Sequence, residues 1–151
     1  SGYVQITNND TTIIQFVKNW FDSNNISSSI ESKINKIGGT STSVRGYSTL
    51  LAKFLTSLVG HGCYSKHVPY EAFIGNDEFI KGILNGYFSG DGTVSTNSIE
   101  ASSASSELIE GISMLCTRLG IFGKTFITQM NTNNINTRNN IIMLLGPPPR
   151  I

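Results

Sequence analysis

The 151-residue chain reads as an α+β protein built on antiparallel sheets, and three observations carry that reading. Short alternating segments rich in Val, Ile, Thr and Ser break at turn residues, as half-buried strands do. Longer segments between them place apolar residues at helical spacing behind a polar capping residue. The order strand, helix, strand also occurs twice without gaps at an offset of 95 residues. Val4-Gln-Ile-Thr-Asn8 falls on Ile99-Glu-Ala-Ser-Ser103, Asp10 on Ser105, Ile13-Ile-Gln15 on Leu108-Ile-Glu110, Val17 on Ile112, Trp20 on Leu115 and Ile26 on Ile121.

Taken in order, residues 3–8 are expected as a strand, with Val4 and Ile6 inward and Tyr3, Gln5 and Thr7 outward. Residues 11–22 follow as a helix whose sheet-covering face should hold Trp20 and Phe21 as core. Strands 29–35 and 41–48 turn at Gly38-Gly39, and a helix over 49–59 leads into a loop reaching 75. A helix over 77–90 precedes strands 93–96 and 98–103, which turn at Asn97. Helix 105–119 and strands 122–129 and 140–145 complete the chain, and Pro147-Pro-Pro149 stops the last ladder.

The segment Phe79-Ile-Lys-Gly-Ile-Leu-Asn-Gly-Tyr-Phe-Ser-Gly-Asp-Gly92 is unlike the other helices. Phe79, Ile80, Ile83, Leu84, Tyr87 and Phe88 form one apolar stripe, with Asn76 as cap and Asp77 and Glu78 in the positive first turn. Gly82, Gly86 and Gly90 each cost about 1 kcal/mol against Ala, yet together they make a flat strip that another helix backbone could approach. Asp91 ends the helix where the macrodipole is negative, a position that a bound divalent cation would favour; Gly92 suits a left-handed C′ residue. An ordinary Asp-Gly turn into a strand has the same local sequence.

Leu84-Asn-Gly-Tyr-Phe-Ser-Gly-Asp-Gly92 resembles the LAGLIDADG motif of homing endonucleases, in the form found in intein endonuclease domains. Val44-Arg-Gly-Tyr-Ser-Thr-Leu-Leu-Ala-Lys-Phe-Leu55 and Ser65-Lys-His-Val-Pro69 resemble the segments ahead of the second motif in inteins. Ser98-Ile-Glu-Ala-Ser-Ser-Ala-Ser-Ser-Glu-Leu-Ile109 and Arg118-Leu-Gly-Ile121 resemble those behind it. One departure is Ser89 at the first acidic position of the motif; the family's catalytic acid matches Asp91.

The resemblance implies antiparallel saddle sheets flanking the motif helix, in a pseudo-twofold repeat suited to two DNA half-sites. It implies a homing endonuclease that hydrolyses both strands of a long double-stranded site with Mg2+ (or Mn2+). Asp91, with the Gly90 carbonyl, would hold the metal, and Lys66 would assist at the phosphate. Gly82, Gly86 and Gly90 would form the helix-pair interface. Lys33, Arg45, Thr96, Ser102, Lys124, Asn133 and Arg138 are the candidate DNA contacts. The repeat puts the counterpart of Asp91 about four positions ahead of Ser1. Residues 1–75 are therefore expected to be the back of one half plus a linker, and 76–151 a second half lacking its final helix. Two other readings fit: a helix-pairing module that binds a second copy or a complementing fragment, or a remnant that binds DNA without cutting it. No terminal splicing nucleophile or final His-Asn pair occurs in the sequence.

Composition limits other classes. A net charge of +1 is not the basic footprint of a nucleic-acid binder, although the chain holds no acid beyond Glu110 while Arg118, Lys124, Arg138 and Arg150 follow. The Asn- and Thr-rich stretch Gln129–Asn140 could present amides to adenine edges, or be a solvated loop of biased composition. No run of 18 apolar residues and no signal-peptide pattern occurs, so an intracellular protein, cytoplasmic or nuclear, without a membrane partner is expected. Cys63 and Cys116 lack close partners, and His61, Cys63 and His67 lack a fourth zinc ligand.

Overall fold

A computed structural model describes residues 2–34, 36–96, 98–130 and 138–145. The chain divides into two compact units, Ser1–Ser57 and Leu58–Ile151. In the first, β1 (Val4–Asn8), β2 (Ser28–Ile34) and β3 (Thr40–Gly46) form an antiparallel sheet in the order β1-β3-β2. Helix α1 (Thr11–Ser23) starts where the Asp10 carboxylate accepts a 2.8 Å bond from the Thr12 amide, and it packs on all three strands. Its anchors are Ile14 and Phe21, buried against Val44. Phe21 lies over Gly46 so closely that an added Cβ there would sit 2.6 Å from two ring carbons. Helix α2 (Thr49–Val59) follows, and the division between the units falls in its last turn.

The second unit holds α3 (Tyr70–Phe73), α4 (Asp77–Asp91), β4 (Gly92–Val94), β5 (Ile99–Ser103), α5 (Ser106–Arg118), β6 (Gly123–Met130) and β7 (Arg138–Leu145). Its antiparallel sheet runs β4-β5-β7-β6. Ile80 and Leu84 of α4 share a core with Val68, Ala72 and, from α5, Ile109, Ile112, Leu115 and Cys116. Gly111 has no room for a side chain, since its Cβ would lie 2.7 Å from Val68 Cγ2. No helix among the described residues is long and apolar enough to cross a membrane.

The repeat is physical. Strands β1 and β5 and helices α1 and α5 match end for end at the offset of 95, and the order β1-β3-β2 recurs as β5-β7-β6. Asp10 and Ser105 cap equivalent helices. Both helices also stop alike. Asn25 (φ 56°) and Gly120 (φ 76°) take the left-handed conformation, and the next amides, of Ile26 and Ile121, each donate at 2.9 Å to the carbonyls of Phe21 and Cys116.

Four local expectations change. Trp20 is 45% exposed, because adjacent helix residues point about 100° apart and Phe21 takes the seat on the sheet. Ile6 is 37% exposed, since α1 covers the middle strand at Val44 fully and the outer strands only in part. Gly92 is extended (φ −83°) rather than left-handed; α4 runs directly into β4, and a Cβ at 92 would lie 3.0 Å from Phe88 Cα. The expected loop before residue 75 contains α3, a single turn too short for periodicity to reveal.

Two outcomes follow from this packing. Gly46→Val and Gly111→Val should each lower stability by about 1–3 kcal/mol through overpacking, seen as a lower urea midpoint at unchanged slope. Burial pushes the Cys116 thiol up to about 11, while Cys63 is exposed. Iodoacetamide at pH 8 should therefore label Cys63 alone in the native protein and both thiols in urea. A thiol that titrates higher folded than unfolded stabilises the fold below about pH 9, and that contribution should fade as pH rises towards 11.

Candidate metal centre and nucleic-acid interface

Helix α4 is fixed at its start and open along one side. The Asn76 side chain accepts from the Phe79 amide at 2.9 Å, and Asp77 and Glu78 sit in the first turn. Arg118 of α5 donates to the carbonyls of Phe73 (2.7 Å) and Gly75 (3.2 Å) and lies 4.0 Å from Asp77, which ties this end to its neighbour. Ile80 and Leu84 face the core, whereas Gly82, Gly86 and Gly90 are exposed, and a Cβ on any of them would meet nothing within 4 Å. The glycine row is an open strip, flanked by exposed Asn85 and Ser89.

Asp91 is the last residue of α4, exposed, and consecutive with Gly90. One turn earlier, the Tyr87 hydroxyl is enclosed without a hydrogen-bond partner among the described residues. Burial first, and the negative charge of Asp91 second, push its pKa up to about 12. The phenol therefore keeps its proton at physiological pH and offers a donor. No group of three His, Cys, Asp or Glu side chains that could hold a metal occurs among the described residues. Asp91 thus brings one carboxylate and adjacent backbone carbonyls, a donor set that a hydrated hard cation accepts with water completing the shell.

Lys66 is exposed on the segment between α2 and α3, and its backbone is held firmly. The His67 amide donates to the Val59 carbonyl at 3.0 Å, and Val68 is buried against Gly111. Between them, the Ser105 hydroxyl donates to the Lys66 carbonyl at 2.5 Å while accepting from the Leu108 amide at 3.2 Å. Ser105, 1% exposed, therefore caps α5 and clamps the Lys66 backbone with one oxygen. The sequence signals only the cap, through its repeat partner Asp10. No hydrogen bond or ion pair joins the Lys66 and Asp91 side chains.

The first sheet has a polar face. In the first unit, strand alternation and cross-strand register place Gln5, Thr7, Arg45, Ser43, Ser29, Glu31 and Lys33 together, opposite the α1-covered side. Lys33 and Arg45, both expected DNA contacts, thus share a surface, with Glu31 4.0 and 3.4 Å from them. Glu31 and Ser43, not among the expected contacts, are marked by the same alternation in β2 and β3. In the second unit, Ser102 is exposed beside buried Ala101, and Lys124 aligns through Leu144 with Glu100 and Thr93. Thr96 is exposed in the β4–β5 turn. Asn133 lies outside the described residues, as does the side chain of Arg138, whose backbone pairs with Met130.

Comparison with known proteins agrees with this geometry. The family model described as a LAGLIDADG-like domain matches residues 78–143, from α4 into β7. Among curated sequences, the chain is 34% identical over 122 residues to "DNA-directed RNA polymerase subunit Rpo1C" of Methanocaldococcus jannaschii, covering 80% of this chain and 14% of that protein. It is 38% identical over 79 residues to "Probable translation initiation factor IF-2" of Thermococcus kodakarensis, covering 51% and 7%. The chain thus spans about a seventh or less of these relatives. Among solved structures, variants of the homing endonuclease I-DmoI match with TM-score 0.68 at 13% identity, over 95% of this chain and 73% of that one. The complex of I-DmoI with DNA and Mn matches over the same shares with TM-score 0.67. At that identity the likeness concerns the fold. The chain carries a LAGLIDADG-like domain at residues 78–143 and has the fold of a LAGLIDADG homing endonuclease.

Proposed function

We propose that the chain is the DNA-cleaving part of a homing endonuclease of the intein type, hydrolysing phosphodiester bonds in double-stranded DNA with a divalent metal. The observation that carries this reading is an exposed Asp91 at the end of a helix whose glycine row faces open space. Asp91 makes no hydrogen bond or ion pair among the described residues, and it sits where the helix dipole alone disfavours it. Two further points support the reading. The fold is shared with I-DmoI, which is known in complexes with DNA and Mn and with DNA and Ca. Short stretches of a polymerase subunit and a translation factor resemble the chain, as a segment inserted into unrelated host proteins would.

Residues 1–75 are the back of one half with its linker, and 76–151 most of the second. On this reading Asp91 and the Gly90 carbonyl hold Mg2+ or Mn2+. A metal bound there would supply charge neutralisation at the scissile phosphate and a more acidic water. Lys66, steadied by the Ser105 clamp, sets a positive charge against the phosphate. Tyr87, one turn before Asp91, stays neutral. Lys33 and Arg45 on the first sheet, Ser102 and Lys124 on the second and Thr96 in the β4–β5 turn meet the DNA; Asn133 and Arg138 are assigned there from the sequence. A second carboxylate comes with the helix that packs on Gly82, Gly86 and Gly90, from a second copy or a complementing fragment.

Asp91→Asn should lower cleavage of a bound target duplex in Mg2+ or Mn2+ by about a hundredfold or more while leaving its affinity unchanged. Chelation by EDTA should reproduce that loss. Persistent cleavage by the variant would remove Asp91 from the mechanism. Gly86→Leu should abolish assembly through the strip in sedimentation equilibrium and raise the urea midpoint of the monomer slightly, because its side chain meets open space and the helix loses a glycine.

A further inference from the structure

We propose that Arg45 reads a guanine in the major groove, and that Gln5, Glu31 and Tyr3 position its guanidinium for that contact. The inference rests on the DNA-binding reading above and adds which base is read and how. Arg45 lies on the middle strand of the first sheet, directly across from Gln5 on β1 and Ser29 on β2. Its Nε donates to Gln5 Oε1 at 2.7 Å, and its Nη1 donates to Glu31 Oε1 at 3.4 Å. The Tyr3 ring centroid is 5.1 Å from Cζ, so an aromatic face braces the guanidinium.

Gln5 is itself oriented. Its amide nitrogen donates to Thr7 Oγ1 at 3.2 Å and Ser43 Oγ at 3.4 Å, and those hydroxyls bond one another at 2.7 Å. That chain turns the amide oxygen towards Arg45. A long side chain on an open sheet would ordinarily sample many rotamers; this one has little left to lose on binding.

The contacts also decide what the side chain can recognise. Of five guanidinium donors, one on Nε and one on Nη1 are committed, which leaves three on the Nη1/Nη2 end of the fork. Two adjacent acceptors match that end, and guanine N7 and O6 supply them; adenine offers one acceptor and one donor and cannot. The Glu31 carboxylate meanwhile offsets the Arg45 charge, which weakens attraction to a bare phosphate more than to a neutral base edge. With a quarter of its side chain exposed, Arg45 still reaches outward.

The test is sequence enrichment from a randomised duplex library by the full chain, compared with Arg45→Ala, Arg45→Lys and Gln5→Ala, each checked for native circular dichroism. The wild-type motif should contain a G·C pair whose preference falls roughly ten- to a hundredfold in Arg45→Ala. Arg45→Lys, which keeps the charge but not the fork, should lose most of the same preference. Gln5→Ala should weaken it at that position only, a readout that a purely structural role would not move. An unchanged motif in Arg45→Ala, or a uniform loss of affinity across all sequences with a smaller salt dependence, would overturn base reading while leaving DNA binding intact. A wild-type chain that enriches no sequence would overturn both.

Discussion

One constraint organises this chain: each sheet is covered by a helix on one face only. Phe21 seats α1 on the space left by Gly46, and the buried face of α5 plays the same part in the second unit. Because strand residues alternate, covering one face obliges the other to be polar. The polar row of Gln5, Arg45 and Ser29 on the first sheet is a consequence of where α1 docks. The open faces and the cores that hold the fold are thus two sides of the same strands.

Helix α4 follows a related logic in a different geometry. Its apolar side packs on α5 through Ile80 and Leu84, and Arg118 and the Asn76 cap fix its start. The opposite side carries three glycines that cost helix stability and where an added Cβ would meet nothing among the described residues. Helix propensity alone would place alanine there. The close approach of another backbone proposed above would be a physical reason for glycine there, and a bound cation would be the one for a carboxylate presented at the negative end of a helix.

The neutral charge balance fits this division of roles. A chain that relied on phosphate neutralisation alone would be strongly basic; here Glu31 stands beside Arg45 and Lys33, so the proposed recognition would lean on geometry over net charge.

Most of the fold was legible in the sequence, because periodicity and capping fix elements that pack on one side. The repeat was the most informative pattern: Asp10 and Ser105, Ile26 and Ile121 mark equivalent caps and exits, and these recur in space. Local spacing could not choose between Trp20 and Phe21 for the sheet, since neighbouring helix positions differ only by rotation. Nor could it show that Gly92 answers a close approach to Phe88, or that Ser105 clamps the Lys66 carbonyl, because both depend on contacts that the fold alone creates. The central claim is that duplex DNA meets the open sheet faces. The most direct test is an amide NMR titration of the chain with a duplex. Shifts concentrated on Gln5, Thr7, Glu31, Ser43, Arg45, Ser102 and Lys124, with α1 unmoved, are the predicted result. Shifts centred on the outer side of α1, or none at saturating duplex, would contradict it.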